Sequence, residues 1–216
     1  MMSDASDPHA GQPVLRGGVP VDRARLVGIF IHGRGASAAD ILSLSEELSA
    51  ADVAYLAPQA AGSTWYPYSF LSPIAENEPG ITSGLGTIAR LIAEVGAQGI
   101  PQDRVVLLGF SQGACLSLEF AARHAGRFAA VVGLSGGLIG PPGTPREYPG
   151  TFAGTPVFLG CSDIDAHIPV GRVRESADVF RRMGAAVDER IYPRMGHTVN
   201  RDELAAVNAL LSAAAQ

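Results

Sequence analysis

Ser111 stands in the pentapeptide GFSQG (109–113), which follows the apolar run Val105–Leu108 and precedes the helix-like stretch Ala114–Ala125. A G-x-S-x-G between a buried strand and a helix is the pattern of a nucleophile elbow, a turn so sharp that only glycine leaves room on either side of the serine. The hydroxyl is then held at a helix N-terminus, where the helix dipole favours developing negative charge. Nucleophilic catalysis is the chemistry this points to. A serine hydroxyl attacks poorly at neutral pH, so it needs a base to take its proton and an acid to orient and stabilise that base.

On such an elbow the acid and then the base follow the serine, each on a loop after a later strand. Of the five histidines, His9 lies near the start, His32 precedes the serine, His124 closes the elbow helix and His167 is two residues from the best acid. His197, between the run Val187–Tyr192 and the last helix pattern, is therefore the expected base. The loop CSDIDAHIP (161–169) holds two aspartates in the right place for the acid. Asp165 is favoured because it lies farther from the strand end, where a loop can turn its carboxylate toward His197; Asp163 is then expected to brace the loop. Asp163, Asp165 and His167 alternate like metal ligands, but no second ligand cluster accompanies them, so no metal or other cofactor is expected.

The developing oxyanion needs two backbone N–H donors. One is expected from Gln112, the residue after the nucleophile, and the other from Arg34 in the glycine-rich turn HGRG (32–35). Gly33, Gly35 and Ala38 also fit a dinucleotide-binding fingerprint, which demands an acid at the end of the next strand. That strand ends Ala57-Pro58-Gln59, and Asp52 stands before it, at the wrong end.

These residues need a scaffold. Short β-rich runs at Leu26–Ile31, Val53–Ala57, Arg104–Leu108, Ala129–Leu134, Pro156–Gly160 and Val187–Tyr192 are nearly continuous in apolar residues, as a parallel sheet covered on both faces requires. Helices are predicted over Ala38–Ala50, Ile81–Gln98, Gln112–Ala125, Val170–Met183 and Arg201–Ala214. Ser37 with Asp40, and Asn200 with Glu203, have capping-box spacing before the first and last of these. The alternation predicts an α/β fold with a mostly parallel sheet and helices on both faces. Two connections are long: Pro58–Gly80, which carries Trp65, Tyr66, Tyr68 and Phe70, and the Gly- and Pro-rich Ser135–Thr155. Neither is large enough for a separate lid domain. The first supplies an expected apolar substrate wall of Trp65, Tyr66 and Phe70, suited to an acyl chain or an aromatic ring.

The chain has 216 residues and is 47% hydrophobic, enough for one domain over 14–216, with residues 1–13 expected as a flexible tail. A net charge of −5 gives no footprint for nucleic acid. No lysine is present, which removes Schiff-base and Ser-Lys chemistry. The opening segment has no apolar core of a signal peptide and no run approaches membrane-spanning length, so a cytoplasmic monomer or homodimer is expected. Two cysteines, Cys115 and Cys161, suit free thiols in a reducing compartment.

The motifs IFIHGRG (29–35), LLGFSQGACLSLEFA (107–121), GLSGGL (133–138), DIDAHIP (163–169) and YPRMGH (192–197) fall in order at compatible spacings. Over residues 26–212 the chain thereby resembles the phospholipase/carboxylesterase family of small α/β-hydrolases, which includes the acyl-protein thioesterases. The resemblance implies Ser111 as nucleophile, Asp165 and His197 as its partners, and Arg34 and Gln112 as oxyanion donors. It implies hydrolysis of a small-molecule or lipid-like carboxylic ester, with an acyl thioester as the alternative substrate; a non-catalytic α/β-hydrolase used as a binding module is the remote alternative from a different functional class. Three positions depart from the family pattern: Pro67 follows Trp65-Tyr66 where aspartate is usual, and Cys161-Ser162 stand where His-Gly is usual.

Overall fold

The computed structural model describes residues 7–215. A seven-stranded sheet runs β1(Val14–Gly18), β3(Val53–Pro58), β2(Leu26–Ile31), β4(Val105–Phe110), β5(Ala130–Leu134), β6(Pro156–Ser162), β7(Ala186–Tyr192) from edge to edge. All neighbours pair in parallel except β1, which lies antiparallel to β3. Strand periodicity sorts the core into two layers. Val27, Ile29 and Ile31 of β2 and Leu107 of β4 face the layer that holds α2(Gly80–Ala97), α3(Gln112–Arg123) and α4(Val170–Arg182). Leu26, Phe30, Val106 and Leu108 point the opposite way, toward α1(Ala38–Ser43) and α5(Arg201–Ala214). The sheet is therefore covered on both faces, which is why its central strands carry apolar residues at nearly every position.

Both predicted capping boxes form: Ser37 accepts from the N–H of Asp40, and Asn200 from that of Glu203, with each acid returning the bond. The first helix is shorter than expected, because the chain tightens into a 3₁₀ turn at Leu44–Glu47. Strand β1 was not legible as a strand, since VLRGG offers two apolar side chains and two glycines at a half-exposed edge. Among the described residues, no helix is long and apolar enough to cross a membrane.

The expected flexible tail is corrected for residues 7–13. His9 is only 4% exposed: its Nε2–H donates to the carbonyl of Trp65 at 2.8 Å and its Nδ1 accepts from the N–H of Ala61 at 3.1 Å. Asp7 pairs with Arg90 at 3.0 Å and accepts from the Ser83 hydroxyl. A short polar segment is thus pinned because it satisfies backbone groups of the long aromatic loop. The remainder of the expected tail, residues 1–6, lies outside the described residues.

Glu203 completes its capping box from a fully buried position, with Oε1 unpartnered among the described residues. Burial pushes its carboxyl from 4.5 up to about 7. The folded protein therefore holds this proton more tightly than the unfolded chain does, and the stability it confers is lost as pH rises from about 4.5 to about 7. At about 1.4 kcal/mol per unit, this reaches roughly 3 kcal/mol. Glu203→Gln, which cannot ionise, is expected to gain several degrees in Tm relative to the parent between pH 5 and pH 8, measured by thermal melts across that range. A constant difference in Tm would contradict the assignment.

Candidate active site

Ser111 follows the last residue of β4 and caps the start of α3 with φ 54° and ψ −118°, a conformation outside the ordinary regions for a side-chain-bearing residue. Its N–H is tied to the carbonyl of Leu134 at 2.9 Å on the adjacent strand. The flanking glycines are required by close approach. A Cβ on Gly109 would lie 2.2 Å from the carbonyl oxygen of Gly113, and one on Gly113 would lie 2.1 Å from that of Ile31. The elbow thus follows from the G-x-S-x-G spacing, and it places the hydroxyl at the N-terminus of a 12-residue helix.

The Ser111 hydroxyl lies 2.8 Å from Nε2 of His197, whose Nδ1 lies 2.7 Å from Oδ2 of Asp165. The Asp165 side chain is fully buried, while that of His197 is 20% exposed. Burial raises the Asp165 pKa, but hydrogen bonds from His197 and from the N–H groups of His167 and Ile168 outweigh it, so its carboxyl is held below the usual range. It stays ionised and fixes His197 as the Nδ1–H tautomer, which leaves Nε2 free to accept the serine proton. Asp163 points elsewhere. Its Oδ1 accepts from the N–H of Arg194 at 2.7 Å and so joins the acid loop to the His197 loop.

Ser162 makes a second such tie, missed from the sequence: its buried hydroxyl oxygen accepts from the N–H groups of Ile164 and Gly196. The one sequence signal at this position is its departure from the family's His-Gly. Cys161, beside it, places its Sγ 3.8 Å from Oδ2 of Asp165, and burial pushes its thiol up to about 12. Cys115 is likewise buried and raised to about 12, so neither thiol is a nucleophile at neutral pH. Among the described residues, no group of three His, Cys, Asp or Glu side chains gathers as a metal site would.

The HGRG turn packs against the elbow, where a Cβ on Gly33 would lie 3.3 Å from that of Ser111. Among the described residues, the N–H groups of Arg34 and Gln112 have no acceptor. Buried His32 holds the turn: its Nδ1–H donates to the carbonyl of Gly33 at 2.7 Å, and its Nε2 accepts from the N–H of Ala60 at 3.0 Å. Desolvation depresses its pKa and keeps it neutral, as that pair of bonds requires. The Arg34 guanidinium reaches the carbonyls of Pro67 and Tyr68 and ties the turn to the aromatic loop. Gln112 does the same from the other side, accepting from the N–H of Trp65 and donating to the carbonyl of Tyr66. The side chains of the two expected oxyanion residues are therefore both spent on positioning.

A cleft of about 370 Å³ opens at Ser111, walled by Tyr66, Tyr68 and Phe70 on one side and by His167 and Ile168 on the other. Trp65 is a correction to the expected wall. It is wholly buried, donates its indole N–H to the carbonyl of His32 at 2.9 Å and packs edge-on against His9. An indole with one polar atom satisfies that atom most readily beneath the loop, where a backbone carbonyl awaits it.

A family model described as Phospholipase/Carboxylesterase matches residues 19–215. A crystal structure of a phospholipase/carboxylesterase from Dyadobacter fermentans superposes with a TM-score of 0.90 at 42% identity, covering 93% of this chain and 96% of that one. A Bacillus cereus carboxylesterase shares the fold at a TM-score of 0.72 and 17% identity, with 95% of each chain covered. Among curated proteins, acyl-protein thioesterase 1 of Yarrowia lipolytica is 27% identical over 195 residues, which span 82% of this chain and 86% of the relative. Acyl-protein thioesterase 1 of Saccharomyces cerevisiae is also 27% identical, over 88% of this chain and 93% of its own. With a match that runs nearly the whole length of an α/β-hydrolase sheet, the chain belongs to the phospholipase/carboxylesterase family.

Proposed function

We propose that the protein hydrolyses carboxylic esters through an acyl-enzyme on Ser111. The observation that carries this reading is the unbroken line of hydrogen bonds from Asp165 through His197 to the Ser111 hydroxyl. His197 Nε2 takes the serine proton as Oγ adds to the ester carbonyl, and the Arg34 and Gln112 N–H groups receive the oxyanion. Collapse expels the alcohol, which takes the proton back from Nε2. Water then adds to the acyl-enzyme with His197 again as base, and the acid departs as Ser111 recovers its proton. Binding without chemistry is disfavoured, because an isolated binding module has no use for a strained serine aligned with a base.

The cleft lies near the small end of ligand pockets, and Tyr66 and Phe70 give it an apolar wall. Each buried methylene adds about 0.8 kcal/mol until the cleft is full, so short to medium acyl chains, roughly C4–C8, are the expected optimum. The measurement is kcat/KM for p-nitrophenyl esters from acetate to palmitate. A peak within that range is expected, and a steady rise to palmitate would contradict it. The thioesterase names of the curated relatives favour acyl thioesters as a second reading, so matched thioesters belong in the same series.

A further inference from the structure

A second groove, of about 430 Å³, adjoins the first, and among the described residues His197 is the one that lines both. Its walls are largely apolar, with Ile41 and Leu44 from α1 and the turn after it, Phe110 from the end of β4 and Val199 from the His197 loop, while Asp40, His32 and Thr198 add polar groups. Phe110 lies against the imidazole with ring centroids 5.0 Å apart.

The two grooves differ in which reacting groups they hold. The first contains Ser111 and Gln112 together with His197; the second contains His197 without the serine. An ester has two arms that diverge from its carbonyl. The acyl arm stays on Ser111 after the first half-reaction, beside the serine and the oxyanion donors. The alcohol arm leaves with the proton from His197 Nε2, so its oxygen must come within hydrogen-bond reach of that nitrogen and its chain must run along the imidazole. The second groove starts at that ring. Asp40 stands at its rim, where hydrogen bonds from the Ser37 hydroxyl and N–H keep its carboxyl ionised. A negative charge there repels anionic leaving groups such as phosphate-bearing alcohols.

We propose that the groove walled by Ile41, Leu44, Phe110 and Val199 is the alcohol subsite, and that the preferred esters carry an uncharged, apolar alcohol longer than methyl. This rests on the esterase reading and adds to it the second half of the substrate. Primary alkyl alcohols leave with similar intrinsic ease, so their relative kcat/KM at a fixed acyl group reads binding of the alcohol arm.

The test is hydrolysis of methyl to hexyl butyrates followed by proton release. The wild type is expected to favour hexyl over methyl butyrate by at least 10-fold, since each methylene that is buried contributes a factor of about 4. Leu44→Glu, and the milder Leu44→Ser with its fold checked by circular dichroism, should bring that ratio close to one. Phe70→Ala, in the first cleft, should leave the alcohol ratio in place while lowering the ratio of methyl hexanoate to methyl acetate. A wild-type alcohol ratio near one, a ratio that survives both Leu44 variants, or one that falls with Phe70→Ala instead would overturn the proposal. Failure of the folded wild type to hydrolyse any alkyl butyrate would remove the esterase reading itself, and the subsite with it.

Discussion

Ser111→Ala and His197→Ala are each expected to lower turnover of an activated ester by more than ~10⁴-fold with folding intact, and the double variant to lose little more than either alone. The reason is geometric. The 2.8 Å contact joins the two side chains into one proton-transfer unit, and once either half is gone the other has nothing to act on. What persists is the residual effect of binding and of the backbone donors. Steady-state kinetics of the three variants checks this, and losses that multiply in the double variant would show two groups acting independently.

Asp165→Asn is the second large effect, with turnover expected to fall about 10³–10⁴-fold while substrate binding stays nearly unchanged. Among the described residues, the Asp165 carboxylate accepts from the Nδ1–H of His197 and the N–H groups of His167 and Ile168, with a longer contact from the Cys161 thiol. An amide can present its N–H to Nδ1, which moves the imidazole proton to Nε2 and leaves no base facing Ser111. Asp163→Asn removes only the charge from the acceptor of the Arg194 N–H, so its loss should appear in Tm rather than in kcat. Parallel kinetics and melts of the two variants separate the roles; a larger kinetic loss at Asp163 with unchanged Tm would reverse the assignment.

The parts of this site legible in the sequence are those fixed by strong local rules. G-x-S-x-G reads as an elbow because two glycine positions have backbone oxygens where a Cβ would sit. The central strands read as apolar runs because both faces of the sheet are covered, and the two capping boxes read from side chains three residues apart. The parts that were not legible depend on distant partners. Nothing in the spacing of Trp65 reveals that its indole N–H turns inward to the carbonyl of His32. His9 looked like tail because its hydrogen bonds go to Trp65 and Ala61, more than fifty residues away. Ser162 departs from the family pattern, but nothing local shows that its hydroxyl ties the acid loop to the His197 loop through the N–H of Gly196.

Covalent trapping of the nucleophile tests the central claim most directly. A fluorophosphonate reacts with a serine only where a base activates the hydroxyl and an oxyanion site accepts the phosphoryl oxygen. Incubation of the intact protein followed by peptide mass spectrometry is expected to show one adduct, on Ser111, at a stoichiometry that tracks loss of ester hydrolysis and disappears in Ser111→Ala. Undiminished ester hydrolysis with Ser111 unmodified, or an inactivating adduct on another residue, would contradict the account.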